Sequence, residues 1–159
     1  MEGQRGRSFA VKPLMPSERT LAIIKPDAVG RNLTGEILKR IEACGLRICG
    51  LKLMRLTRAQ AEQFYQVHQE RPFYASLCAY MSSGPVTVGV LEGDQAIARW
   101  RELMGATDPL KASPGTIRKD LGVDVEKNAV HGSDALETAA AEIPFFFSAV
   151  EIHGAVSES

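Results

Sequence analysis

The sequence predicts an α+β fold of the ferredoxin-like βαββαβ type: a four-stranded antiparallel sheet sandwiched with helices, with short helices added. Three observations carry this expectation. Short apolar runs suited to strands alternate with segments of helical period. An internal β-α-β unit lies within that alternation. The chain, 159 residues long, has room for one compact domain but hardly two. A doubly wound parallel sheet is the competing arrangement.

The first 16 residues are rich in Gly, Arg, Pro and Ser and show no periodicity. Residues 1–17 are therefore expected to form a flexible arm, ahead of a domain over 18–147 and a tail over 148–159. Met15 could equally be the native start. Thr20 to Ile24 is a nearly continuous apolar run, which suits a buried strand, and Pro26 ends it. Thr34 can cap the first helix, whose Ile37, Leu38, Ile41 and Cys44 recur with helical spacing before Gly45 stops it. Leu46 to Leu56 alternates loosely and reads as a second strand. Thr57 caps a second helix with Ala61, Phe64, Tyr65 and His68 near one face, and Arg71-Pro72 breaks it. Phe73 to Met81 is a further short helix, and Ser83-Gly84-Pro85 a turn. Val86 to Leu91 is a third strand, and Ala96 to Met104 is helical again. Gly105 to Asn128 reads as long and irregular, a length that is usually functional inside a compact domain. Ala129-Val130-His131 forms a short last strand. Asp134 and Glu137 have capping-box spacing, Leu136, Ala140 and Ile143 form the face of a last helix, and Pro144 closes it.

Composition narrows the function. Lys plus Arg and Asp plus Glu both number 19, so the net charge is zero, which argues against a dedicated nucleic-acid binder. A local cluster of cations remains compatible with that balance. Cys44, Cys49 and Cys78 are odd in number and form no Cys-x-x-Cys pair, against a disulfide framework or a four-ligand zinc site. No apolar run reaches the roughly 20 residues a membrane span needs. Arg5 and Arg7 are not followed by an apolar signal segment, so a cytoplasmic location and no membrane partner are expected. Walker-type, dinucleotide-binding, zinc-protease and serine-elbow motifs are all missing.

The informative segment is Asn128-Ala129-Val130-His131-Gly132-Ser133-Asp134. A histidine ends a strand, glycine permits a close approach, and two cap-forming residues follow. A neutral imidazole is a good phosphoryl acceptor when its other nitrogen is held by a hydrogen bond, and Glu142 on the following helix could hold it. The same residues suit a buried structural histidine. Lys25, Arg101 and Arg118 would supply charge for phosphoryl transfer if they converge, and each alone reads equally as a surface charge. Phe73 could present a flat face to a base or pack in the core. Thr107 and Asn128 could bond phosphate or ribose, or satisfy loop backbone.

Together these pieces resemble nucleoside diphosphate kinases. The matching segments are Arg19-Thr20-Leu21-Ala22-Ile23-Ile24-Lys25-Pro26-Asp27-Ala28-Val29, Glu70-Arg71-Pro72-Phe73 and Ser83-Gly84-Pro85-Val86. Arg101-Glu102-Leu103-Met104-Gly105-Ala106-Thr107, Pro114-Gly115-Thr116-Ile117-Arg118 and Asn128 through Asp134 complete them. They stand in the family's order and spacing, from about Glu18 to Phe147. The resemblance implies a ping-pong exchange in which His131 takes the γ-phosphate of a nucleoside triphosphate such as ATP and passes it to a diphosphate such as GDP. It implies that Lys25, Arg101, Arg118, Thr107 and Asn128 hold phosphates and sugar, and that Phe73 stacks on the base. Tyr65 lies near Lys25, Glu142 orients the histidine, and Ser133 is a nearby hydroxyl. Mg²⁺ would ride on the phosphates, with protein contact through water near Asp134. Stacking with few hydrogen bonds to the base implies broad base specificity. A homo-oligomer, tetramer or hexamer, is also implied. Trp100, Leu121 and Ala135 depart from the usual pattern, and the first two are expected to affect loop packing or subunit contacts. Residues 148–159 do not convincingly match.

Overall fold

The computed structural model describes residues 17–155. The expected arm, apart from Ser17, and the end of the tail, residues 156–159, lie outside that range. The strands are β1 (Glu18–Ile24), β2 (Arg47–Met54), β3 (Val86–Gly93) and β4 (Val130–Gly132). They form one sheet in the order β2-β3-β1-β4. Every neighbouring pair is antiparallel, which is the ferredoxin-like arrangement and excludes the doubly wound sheet.

Helices cover both faces. On one face pack α2 (Thr34–Ala43), α5 (Ala96–Met104) and the short α6 (Ile117–Leu121), burying Ile37, Ile41, Trp100, Met104 and Ile117 against Ala22, Ile24 and Val130. On the other pack α3 (Arg58–Phe64), α4 (Tyr74–Met81) and α7 (Leu136–Phe146), against Leu21, Ile23, Val86, Val88 and Val90. Successive side chains of a strand point to opposite faces, so a strand covered on both sides must be apolar throughout. That is why β1 reads as a continuous apolar run. Full burial of each large aliphatic side chain contributes about 1.5–3 kcal/mol.

Local signals explain most boundaries. Thr57 and Gln60 make a reciprocal capping box at the start of α3. Gly45, at φ +87°, takes the left-handed conformation that ends α2. Several expectations need correction. Thr34 is the first helical residue, and Leu33 holds the cap position. His68 lies in a 3₁₀ turn beyond α3. The segment 105–128 contains α6, started by the Thr116 side chain accepting from the Lys119 amide. A short helix α1 (Pro26–Gly30) follows β1, with Pro26 pre-set for a first turn.

The last helix differs most. The Thr138 hydroxyl, not Glu137, accepts from the Asp134 and Ala135 amides at its start. Its buried face is Ala139, Ile143 and Phe146, whereas Leu136 and Ala140 are exposed. Pro144 lies inside α7 rather than closing it. Proline removes the hydrogen bond to the carbonyl four residues earlier, here Ala140 on the exposed side, where water can satisfy it. Beyond α7 the chain returns along β2, where the His153 amide donates to the Cys49 carbonyl at 2.7 Å and Lys52 pairs with Glu151 at 2.8 Å.

Candidate functional site

His131 sits on the edge strand β4, opposite Ile23 of β1. Ile23 belongs to the α3/α4/α7 side of the sheet, so the imidazole faces α3 and α7. There its Nε2 lies 2.7 Å from Glu142 Oε1. Phe64 meets the ring edge-on at 5.5 Å, and Tyr65 stands at 6.3 Å. The Ser133 hydroxyl is 3.4 Å from the same Glu142 oxygen and also accepts from the Leu21 amide at 3.3 Å. With Nε2 donating to a carboxylate, the neutral tautomer leaves the lone pair on Nδ1, which has no partner among the described residues.

The backbone under the histidine is held from the opposite face. Trp100 Nε1 donates to the His131 carbonyl at 3.2 Å. This indole is fully buried in the core, so the expectation of an altered loop or subunit contact gives way to a core role. Gly132 follows because a Cβ there would lie 2.6 Å from the Trp100 ring.

Three cations gather along the same strand. Lys25, next after β1, donates to Asn128 Oδ1 at 2.8 Å and to the Glu126 carbonyl at 3.3 Å. Arg118 on α6 donates to the carbonyls of Gly105 at 3.0 Å and Val130 at 2.9 Å, and its Nε finds no partner among the described residues. Arg101 on α5 pairs with Asp134 at 2.7 Å. Burial pulls Lys25 from its usual 10.5 to about 8, with repulsion from Arg118 second. Burial likewise lowers Arg118 to about 10, with Arg101 adding to the shift. Each cation thus lies within the field of the next. Burying the charged Lys25 costs the fold about 3 kcal/mol, a penalty complete below pH 8 and relieved as pH rises toward 10.5. A bound polyanion would remove it.

The remaining predicted residues divide. Asn128 is buried and its amide also donates to the Thr107 and Val125 carbonyls, at 3.0 and 3.1 Å. Thr107 is exposed and touches this network through its carbonyl. The buried Tyr65 hydroxyl lacks a partner among the described residues, and burial, with Glu142 second, pushes the phenol well above its usual range. Phe73 stands apart just before α4, 46% exposed, its ring 5.5 Å from that of His68. A groove of about 880 Å³ runs beside this region and shares only Arg101 with the predicted residues, so chemistry rather than concavity marks the site. No cluster of His, Cys, Asp and Glu suited to a metal ion occurs among the described residues. Phe64, Asp27 and Trp100 are contacts that the site reading did not assign. Asp27 was visible in the Lys25-Pro26-Asp27 segment, while Phe64 looked like any residue of a helix face.

A carboxylate-held histidine, with the buried Lys25 and Arg118 and the exposed Arg101 in one another's field, suits on this fold an enzyme of phosphoryl transfer. Comparison with known proteins narrows the class. The family model for nucleoside diphosphate kinase matches residues 18–152. A nucleoside diphosphate kinase of Rhodospirillum centenum is 63% identical over 140 residues, 88% of this chain and 100% of that protein. One of Geotalea daltonii is 62% identical over 135 residues, 85% of this chain and 98% of that protein. The solved Aquifex aeolicus enzyme superposes with TM-score 0.84 at 49% identity, covering 86% of this chain and 99% of that one. The Halobacterium salinarum enzyme, solved in complex with CDP, gives 0.85 at 41%, covering 89% and 95%. The chain belongs to the nucleoside diphosphate kinase family, and its activity is that of a phosphotransferase acting on nucleotides.

Proposed function

We propose that His131 carries the phosphoryl group between nucleotides, with Nδ1 as the attacking atom. The observation that carries this is the 2.7 Å contact between Nε2 and Glu142. In the first half-reaction Nδ1 attacks the γ-phosphorus of a nucleoside triphosphate such as ATP. A P–N bond forms, the P–O bond to the β-phosphate breaks, and the diphosphate leaves with that electron pair. Glu142 stabilises the cationic ring as the bond forms, and Ser133 fixes Glu142. A second diphosphate such as GDP reverses the steps through one of its β-phosphate oxygens.

The barrier of phosphoryl transfer is lowered mainly by positioning and charge. Lys25, Arg118 and Arg101 bind the phosphate oxygens. The exposed Thr107 hydroxyl is available to phosphate or sugar, while the buried Tyr65 stands beside the His131 ring. Asn128 acts mainly by holding Lys25 and the Thr107 loop. Phe73 offers its exposed face to the base, and stacking on one ring predicts broad base specificity. Mg²⁺ fits as a cation carried by the nucleotide, and the exposed Asp134 beside Arg101 would meet it through water. When bound it would neutralise charge on the phosphates. The relative solved with CDP supports a nucleotide diphosphate in this role.

The zero net charge supports a free nucleotide rather than a nucleic acid as partner. No helix among the described residues is long and apolar enough to cross a membrane, which supports the cytoplasmic reading. Leu51 and Leu53 on the outermost strand β2 are exposed, 49% and 67%, which supports a homo-oligomer, tetramer or hexamer. Light scattering should give a mass of four or more chains, and a monomer overturns that reading. Incubation with γ-labelled ATP and Mg²⁺ should give an acid-labile phosphoenzyme that GDP discharges. A His131→Ala chain that still labels normally overturns the nucleophile assignment.

A further inference from the structure

We propose that Asp27 is a positioning residue for the reaction at His131, tying the entry of β4 to the end of α4. The proposal rests on the reading of His131 as nucleophile. Asp27 lies in α1 with its side chain only 6% exposed. Its Oδ2 accepts from the Ala129 amide at 3.2 Å and from Arg31 Nη2 at 3.2 Å. Its Oδ1 accepts from the Tyr80 hydroxyl, whose oxygen accepts in turn from the Asp27 amide at 2.9 Å.

Ala129 explains why this carboxylate is there. It has φ +73°, in the left-handed region that a non-glycine residue enters only at a cost of order 1 kcal/mol or more. Such strain persists when the surroundings over-determine it. Both polar groups of Ala129 are held by the turn after β1: its amide by Asp27, and its carbonyl by the Lys25 amide at 2.8 Å. The kink turns the Asn128 side chain toward Lys25 and lets Val130 and His131 join β1 opposite Ile24 and Ile23. Asp27 is the side-chain part of that clamp. Through Tyr80 the clamp reaches α4, the helix that Phe73 precedes. The Ser76 hydroxyl of α4 donates to Glu126 at 2.9 Å, in the turn whose carbonyl holds Lys25.

The test is single-turnover labelling of the full chain by γ-labelled ATP and Mg²⁺, with equilibrium affinity for ADP measured alongside. Asp27→Ala should slow labelling about 30-fold or more, as expected when reacting atoms are displaced by about an ångström. Its ADP affinity should fall by much less than the rate, because Lys25 and Asn128 keep their direct hydrogen bond while the nucleophile's strand loses its clamp. Asp27→Asn keeps an acceptor for Ala129 and an amide that donates to the Tyr80 oxygen, so it should recover the rate to within about fivefold. Tyr80→Phe should slow labelling with the same rate-against-affinity split, and it decides the matter if Asp27→Ala does not fold. An Asp27→Asn chain as slow as Asp27→Ala would assign the effect to charge and overturn the proposal. So would an Asp27→Ala rate within threefold of the parent, or a loss of affinity that matches the loss of rate. Labelling of the unaltered chain on a residue other than His131 would sink the nucleophile assignment as well, an outcome distinct from the others.

Discussion

The two ends of the site are built differently. At the proposed phosphate end Lys25 and Arg118 are buried, 7% and 8% exposed, with hydrogen bonds to backbone and to Asn128 already made. At the proposed base end Phe73 is half exposed beside the His68 ring, while Thr107 lies on an exposed loop. The first end carries the electrostatic penalty of burying its cations and is held by bonds within the chain. The second is open and loosely specified. Preorganisation is concentrated where charge moves in the transition state, and tolerance where bases differ.

The contrast can be broken most decisively at Lys25. Lys25→Ala should lower kcat/KM by about 10²–10³-fold, as loss of a preorganised charge does. A loss under threefold would mean that the buried cation is not used. A smaller effect follows from its titration. Nucleotide affinity should be flat below pH 8 and fall by up to about tenfold per unit above it, because the empty site releases the Lys25 proton there. Calorimetry of ADP binding across pH 7–10 measures this, and an affinity unchanged to pH 10 would refute it. The smallest effect is expected at the open end. Phe73→Ala should raise KM about three- to tenfold for every base alike, with kcat nearly unchanged. A change of base preference would show that Phe73 discriminates.

The same contrast marks what was legible in the sequence. β1 and β3 were clear because burial on both faces makes their apolar runs continuous, and α3 because Thr57 and Gln60 are a local cap. The site residues were legible only as a spaced set matching a family, since spacing cannot show that Arg118 reaches the Val130 carbonyl. The face of α7 is legible at Ile143 but not at Leu136 and Ala140, which share its helical spacing; tertiary packing buries Ala139 and Phe146 with Ile143 and leaves those two exposed. α1 and α6 span five residues each, too short for periodicity to register. The roles of Trp100 and Asp27 depend on partners 31 and 102 residues away, beyond any local signal.

The contact between Gly132 and Trp100 makes two positions into one choice. No side chain larger than hydrogen fits at 132 while an indole occupies 100, and a smaller residue at 100 leaves a void and removes the indole's hydrogen bond to the His131 carbonyl. Single changes at either position therefore face a fitness valley. Divergence of this chain should either leave the pair untouched or alter both members together.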